Sequence, residues 1–363
     1  MSKRIIFIVG GGTGGHIYPG VAIARALQKA DSSVEVHFVG TATGLETKIV
    51  PREGFKLHLI QGGKLNFSGG VLTKIKTMVK LPVGLLQSFG LLFKHKPIFV
   101  LGVGGYASGP FVLAAALTGF HTGIWEPNAQ PGMANRWLAR FVDCCYVVFA
   151  NANQWLKNKS ILQFGMPVRS EIENFQRPAR SDQDFHLLSF GGSQGSALIS
   201  KSLAEAVTAT ASLQKNVQVV QQVPGAQVQN INDIYKATPG LSASVVDYIY
   251  DMPKYYGWAD LVVARGGAST IMELAACGVV PIIIPLPAAD DHQQRNAETL
   301  LQAQAGVMIL QKDLSADVLA KAIQNLREKP AQLQQMSQQL KTLFKPQAAE
   351  RIAADIIQRA GHA

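Results

Sequence analysis

Apolar residues run along this chain in short unbroken stretches. Each is followed by a turn and then by a segment whose apolar positions recur three and four apart. An unbroken apolar run of five or six residues fits a strand buried on both faces, and the spaced segment behind it fits a helix packed on the sheet. In the first half the pattern predicts strands over residues 5–9, 34–39, 56–60, 98–102 and 121–125. Helices are predicted over 18–29, over 45–52, over 72–93 with an interruption at Pro82, from 111, and from the 126–132 turn through 141. Residues 61–70 read as a glycine-rich loop. Residues 164–184 are polar, carry Pro167 and Pro178, and read as an interdomain connection.

The pattern then restarts. Strands are predicted over 186–190, 217–223, 245–249, 261–264, 280–284 and 307–310, with helices between them and an amphipathic helix over 346–359. Strands alternating with helices over short connections predict a doubly wound parallel sheet. The expected fold class is α/β, with two Rossmann-like domains over residues 1–164 and 165–345 and a closing segment over 346–363. A length of 363 residues agrees with two cores rather than one.

Composition narrows the class of partner. Apolar residues make up 47% and charged residues 16%, which excludes a disordered chain. The formal charge of +10 asks for an anionic partner: nucleic acid, anionic lipid or a phosphorylated substrate. Cys144, Cys145 and Cys277 form no Cys-x-x-Cys pair, so neither a zinc site nor a disulfide framework is expected. The run at 5–9 is too short for a signal peptide, and no apolar stretch is long enough to span a bilayer. The expected compartment is the cytoplasm.

Candidate chemistry sits where strands meet glycines. Residues 261–264 run into Arg265-Gly266-Gly267-Ala268-Ser269-Thr270-Ile271-Met272-Glu273. A strand, a glycine turn and a helix start present unpaired N–H groups and a positive dipole end, which suits a phosphate. Glu273, further along that helix, offers a carboxylate to a pair of ribose hydroxyls. The competing reading is one more βα turn. Gly191-Gly192-Ser193-Gln194-Gly195-Ser196 is a second such loop, and two together can flank one diphosphate. Gly10, Gly12 and Gly15 match G-x-G-x-x-G, but residues 39–43 (Val-Gly-Thr-Ala-Thr) carry no acid for a dinucleotide ribose. No nicotinamide cofactor is therefore expected. His16 at the mouth of that loop reads equally as a structural cap or as a base.

Three further stretches carry charge or polar side chains. Residues 290–296 (Asp-Asp-His-Gln-Gln-Arg-Asn) lack metal-ligand spacing and favour hydrogen bonds to sugar hydroxyls. Asp182-Gln183-Asp184 lies in the connection and reads as a solvated charge pair. Lys74, Lys76, Lys80, Lys94 and Lys96 alternate with apolar residues. That suits a core helix by default, or an anionic membrane surface if the apolar side is exposed; nucleic acid fits less well, since no aromatic residues interleave with the charges.

Together these stretches resemble the bacterial peptidoglycan glycosyltransferases that add N-acetylglucosamine to undecaprenyl-pyrophosphoryl-muramyl-pentapeptide. The carrying motifs are residues 11–16 (Gly-Gly-Thr-Gly-Gly-His), residues 101–110 (Leu-Gly-Val-Gly-Gly-Tyr-Ala-Ser-Gly-Pro), the 191–196 loop, Asp251-Met252 with Trp258-Ala259-Asp260, the 265–273 stretch, and His292-Gln293 with Asn296-Ala297. The resemblance implies a glycosyltransferase type B fold, two Rossmann-like domains across a cleft, with the donor on the second domain and the lipid-linked acceptor and membrane on the first. The last helix would pack back on the first domain. It implies that Ile249 meets uracil through its backbone, Glu273 takes the ribose hydroxyls, and Ser193 with Ala268, Ser269, Thr270, Ile271 and Met272 faces the diphosphate. Gln293, Asn128 and Arg169 would contact the donor, with Thr13, Gly14 and Gly15 closing from the other domain.

The implied reaction is an inverting transfer from UDP-N-acetylglucosamine, with His16 as base and Glu126 as its competitor, and with neither metal nor cofactor. The implied location is peripheral, on the cytoplasmic face of the bacterial cell membrane, through Ile75, Lys76, Val79, Lys80 and Phe89. The chain departs from the family at Trp125, Pro127 and Met166, where His, Gln and Asn are usual. A UDP-N-acetylglucosamine epimerase, a glycolipid glucosyltransferase and a nucleotide-binding oxidoreductase are the alternatives on such a fold.

Overall fold

The computed structural model describes residues 4–62, 71–178, 183–192, 195–288 and 290–361, with the side chains of 71–81 excepted. Chain contacts divide it into two compact units, Met1–Val168 with Lys345–Ala363, and Arg169–Phe344. The first unit holds strands β1 (Arg4–Gly10), β2 (Val34–Gly40), β3 (Lys56–Leu59), β4 (Phe99–Gly104), β5 (Thr122–Glu126), β6 (Cys144–Val147) and β7 (Ile161–Gln163). The second holds β8 (Phe185–Phe190), β9 (Val217–Gln222), β10 (Ser242–Val246), β11 (Leu261–Ala264), β12 (Val280–Ile283) and β13 (Val307–Met308).

Strand order is β3-β2-β1-β4-β5-β6-β7 in one sheet and β10-β9-β8-β11-β12-β13 in the other, and every pairing is parallel. Each order reverses once, at β1/β4 and at β8/β11. Ligands of open α/β sheets bind outside the carboxyl ends of the strands at such a reversal. The central strands are apolar throughout because helices cover both faces: residues 6–9 of β1 and all of β11 are fully buried.

The structure refines several sequence expectations. The helix predicted from Tyr18 begins at Gly14, inside the glycines, where helix propensity argued against it. The helix Val71–His95 runs unbroken past Pro82. Proline forfeits one backbone bond there, and Leu85, Phe89 and Leu91 packed against the core support the helix beyond it. β6 and β7 extend the first sheet with only four and three residues, too short for a readable period. β10 lies three residues earlier than predicted, because an exposed edge strand can be built from Ser242, Ala243 and Ser244, while the apolar residues after it form a turn.

The last helix, Ala348–Gly361, packs on the helix Gly14–Ala30. It is held there by Tyr146 donating to Asp355 at 2.7 Å and by Arg359 reaching both Asp355 at 2.6 Å and Ser160 at 2.9 Å.

Candidate functional site

In the second unit, the two glycine turns of the sequence stand side by side. Ala264 at the end of β11 pairs with Phe190 at the end of β8, so the turns following them share the reversal point. Arg265 ties them together. Its guanidinium donates to Ser196 Oγ at 2.9 Å, Gln311 Oε1 at 2.8 Å and the carbonyls of Ile284 and Pro285 at 3.1 and 3.2 Å. Arg265 is thus spent on the scaffold, and its burial lowers its pKa.

The turn after it is fixed from a third side. Gln293 Oε1 accepts from the N–H of Gly266 and of Leu286, both at 3.0 Å, and Asn296 Nδ2 donates to Gly266 O at 3.2 Å. The helix Ala268–Cys277 starts from this clamped turn, and its first intrahelical bond is Ile271 N–H to Gly267 O at 3.0 Å. The N–H groups of Ala268, Ser269 and Thr270 precede that bond and have no acceptor within the helix, so a rigid row of donors with a positive dipole end is aimed outward. Ile271 and Met272 are buried and anchor the turn. Across from it, Gly192 and Gly195 take φ of +85° and +71°, a backbone that L side chains rarely adopt.

Glu273 lies one and a half turns along this helix. Tyr256 donates its hydroxyl to Oε2 at 2.9 Å, and Arg169 Nη2 stands 3.7 Å from Oε1. Burial raises the Glu273 carboxyl above its ordinary range despite the opposing pull of Arg169 and Tyr256. The result is a partly buried carboxylate with one oxygen anchored and the other loosely paired. Tyr256 and Asn296 are fully buried; Asn296 belongs to the 290–296 stretch read for sugar hydroxyls but holds the glycine turn instead, whereas Tyr256 was not assigned from the sequence, the Tyr255-Tyr256 pair one turn into its helix being the available signal. Ile249 is buried in the turn after β10 between exposed Tyr248 and Tyr250, whose rings meet edge to face at 4.8 Å.

In the first unit the carboxyl ends of β1 and β4 meet through glycines. Gly104 and Gly105 have φ of +100° and +87°. A Cβ at Gly104 would stand 2.7 Å from His16 Nδ1, so its absence lets the imidazole lie on the strand end. Thr13 is the exposed N-cap of the helix Gly14–Ala30 and makes no side-chain cap bond; Gly15 is exposed beside it.

Glu126 ends β5 and is 2% exposed. It accepts four hydrogen bonds: from Asn128 N–H at 2.8 Å, Asn128 Nδ2 at 3.1 Å, Gly132 N–H at 3.2 Å and Asn135 Nδ2 at 2.8 Å. Burial raises its pKa against all four. Trp125, Pro127 and Met166, the departures from the family pattern, are buried.

Several expectations fall elsewhere. Ser193 and Asp182 lie outside the described residues, as do the side chains of Ile75, Lys76, Val79 and Lys80. Phe89 is half-buried, packs against the core and stacks 6.4 Å from exposed Phe93. Among the described residues no His, Cys, Asp and Glu group suits a metal ion, and no helix is long and apolar enough to cross a membrane.

Two all-parallel α/β units, each with glycine turns at its strand reversal, define a type B nucleotide-sugar glycosyltransferase fold. The glycosyltransferase family 28 N-terminal domain matches residues 6–147 and its C-terminal domain residues 186–352. The chain is 57% identical, over 98% of its length and 99% of the relative's, to the UDP-N-acetylglucosamine–N-acetylmuramyl-(pentapeptide) pyrophosphoryl-undecaprenol N-acetylglucosamine transferase of Bdellovibrio bacteriovorus. The transferase of the same name from Citrifermentans bemidjiense is 40% identical over 98% of this chain and 99% of its own. Among solved structures, Acinetobacter baumannii MurG superposes with a TM-score of 0.85 at 26% identity, covering 98% of this chain and 99% of that one. This chain belongs to glycosyltransferase family 28, in the group of bacterial N-acetylglucosamine transferases that carry that name.

Proposed function

We infer that this chain transfers N-acetylglucosamine from UDP-N-acetylglucosamine to the 4-hydroxyl of undecaprenyl-pyrophosphoryl-N-acetylmuramyl-pentapeptide, with inversion, in peptidoglycan synthesis. The observation that carries this reading is the pair of glycine turns at β8/β11, clamped by Arg265, Gln293 and Asn296 beside the anchored Glu273. Diphosphate oxygens meet the N–H row of residues 268–270 and the backbone of Gly191 and Gly192, while the ribose hydroxyls donate to Glu273. Uracil sits against the backbone of Ile249. Arg169 reaches the donor from beside Glu273, and Gln293 offers its amide hydrogens to the sugar, its carbonyl being engaged by the turn.

The acceptor oxygen attacks the anomeric carbon on the face opposite UDP, and the C–O bond to UDP breaks through an oxocarbenium-like transition state. Negative charge gathers on the departing diphosphate, where preorganised N–H donors and the helix dipole stabilise it; one such donor is worth about 3–4 kcal/mol. His16 takes the proton of the acceptor hydroxyl. Glu126 is the weaker base, because its four lone-pair positions are already filled by Asn128, Gly132 and Asn135; it positions Asn128 instead. Thr13, Gly14 and Gly15 line the approach to His16.

The enzyme works at the cytoplasmic face of the bacterial cell membrane, held peripherally by the basic and apolar residues of the helix Val71–His95. UDP release that requires the lipid-linked acceptor tests the reading. Conversion of UDP-N-acetylglucosamine to an epimer without acceptor would assign the fold to an epimerase instead.

A further inference from the structure

The acid missing at the end of β2 arrives from the element that follows it. Glu46 opens the short helix Glu46–Arg52 and is 1% exposed. Its carboxylate accepts from Gly12 N–H at 2.7 Å, from Thr41 N–H at 2.9 Å and from Thr41 Oγ1 at 3.0 Å. The chain around it is shaped to that side chain. A Cβ on Gly11, Gly40 or Gly44 would stand 2.2, 2.5 or 1.9 Å from Glu46 atoms. The next layer is equally tight, since a Cβ on Gly105 would lie 2.4 Å from Gly11 O, and Gly11 N–H donates to Gly104 O at 3.1 Å. Gly104 in turn bears the His16 ring. One carboxylate is therefore connected, through Gly12, Gly11 and the Gly104-Gly105 backbone, to the side chain assigned above as the base.

A glycine loop at a strand end normally presents its N–H groups to an external anion. In this loop the anion is internal. We propose that Glu46 is a positioning residue: it fills the anion seat of the 10–16 loop, presets Thr13 to His16 for the acceptor, and bars a nucleotide diphosphate from the first unit. The donor diphosphate then has its seat in the second unit alone. The positioning part rests on the transfer reaction and on His16 acting in it; the filled anion seat does not.

The test uses the full chain. Glu46→Gln keeps the shape of the side chain and removes its charge, and one donor of the trio then faces an amide N–H2. The expected result is a fall in kcat of tenfold or more with KM for UDP-N-acetylglucosamine changed less than twofold. A purely structural role would lower Tm and leave kcat intact, and that outcome overturns the proposal.

Glu46→Ala empties the seat. Formate at tens of millimolar should raise the Tm of Glu46→Ala and restore part of its kcat, while chloride at equal ionic strength does neither and wild type responds to neither. Formate acting no better than chloride on the Tm of Glu46→Ala overturns the anion seat, and that arm needs no transferase activity. If Glu46→Ala does not fold, the Glu46→Gln kinetics decide. A wild-type protein that transfers no sugar refutes the reaction, and the formate response still judges the seat.

Discussion

Burial raises the pKa of Glu273, and Tyr256 fixes one of its oxygens. A raised carboxyl takes up its proton at a higher pH than an exposed glutamate does. UDP-N-acetylglucosamine affinity should therefore decline on acidification through a pH above the ordinary value of about 4.3, and Glu273→Gln should bind weakly with no such decline. The stability effect has the opposite sign: the buried carboxylate costs stability at neutral pH, and the cost disappears once both states are protonated. Tyr256→Phe should weaken donor binding about tenfold or more, measured by calorimetry, since one net hydrogen bond to a charged group is worth about 1.5–3 kcal/mol; unchanged affinity would return Tyr256 to a packing role. Single-turnover transfer in His16→Ala should slow by about 10²–10⁴-fold, with donor affinity unchanged. Glu126→Gln should instead perturb the Asn128 turn. Wild-type chemistry in His16→Ala would remove it as base. Glycine turns and Glu273 were legible because strand, glycine and helix follow one another in sequence. Glu46, Tyr256 and Asn135 were not, because each acts through a partner that only the fold brings near: Gly12, Glu273 and Glu126 lie 34, 17 and 9 residues away.

Elements carry a second, pH-dependent consequence. β2, β3 and the end of the helix Val71–His95 bring His37, His58 and His95 together, with ring centroids 4.9–5.4 Å apart. Phe7 packs on all three, Glu35 sits 3.0 Å from His37 and 2.6 Å from Lys56, and Lys94 adds a further positive charge. Burial, then the neighbouring His37, His95, Lys94 and Lys56, lowers the His58 pKa to about 4. The unfolded chain then binds more protons than the folded one between about 6.5 and that value. Stability is complete above that window and is lost as pH falls through it. Thermal unfolding should show Tm falling by several degrees between pH 6.5 and 4, and His58→Gln should flatten the fall. An equally steep fall in that variant would place the acid sensitivity elsewhere. The strand pattern was legible where strands are buried on both faces, as in β1, β8 and β11. It failed at β6 and β7, which are too short to show a period, and at β10, whose exposed edge needs no apolar residues.

At the scale of the whole molecule, the sequence carries an excess of ten positive charges, and the helix Val71–His95 carries Lys74, Lys76, Lys80 and Lys94. Leu86 and Phe93 are exposed on that helix, with Leu117 exposed on the helix Ser108–Leu117 packed beside it. Replacing Lys76 and Lys80 by glutamate should weaken sedimentation with anionic vesicles about thirtyfold or more and leave UDP-N-acetylglucosamine affinity unchanged, at about 1 kcal/mol per basic residue near the surface. Unchanged vesicle binding would move the contact to another surface. The α/β class followed from hydrophobic pattern alone, whereas the substrate did not: charge and glycine turns specify an anion and a diphosphate, and only the ordered set of motifs specified a sugar donor. The measurement that bears most directly on the central claim is product analysis after incubation with UDP-N-acetylglucosamine and undecaprenyl-pyrophosphoryl-N-acetylmuramyl-pentapeptide. The acceptor should gain one N-acetylglucosamine on its muramyl 4-hydroxyl in the β configuration, with one UDP released per sugar. An unmodified acceptor, or an α-linked product, would contradict it.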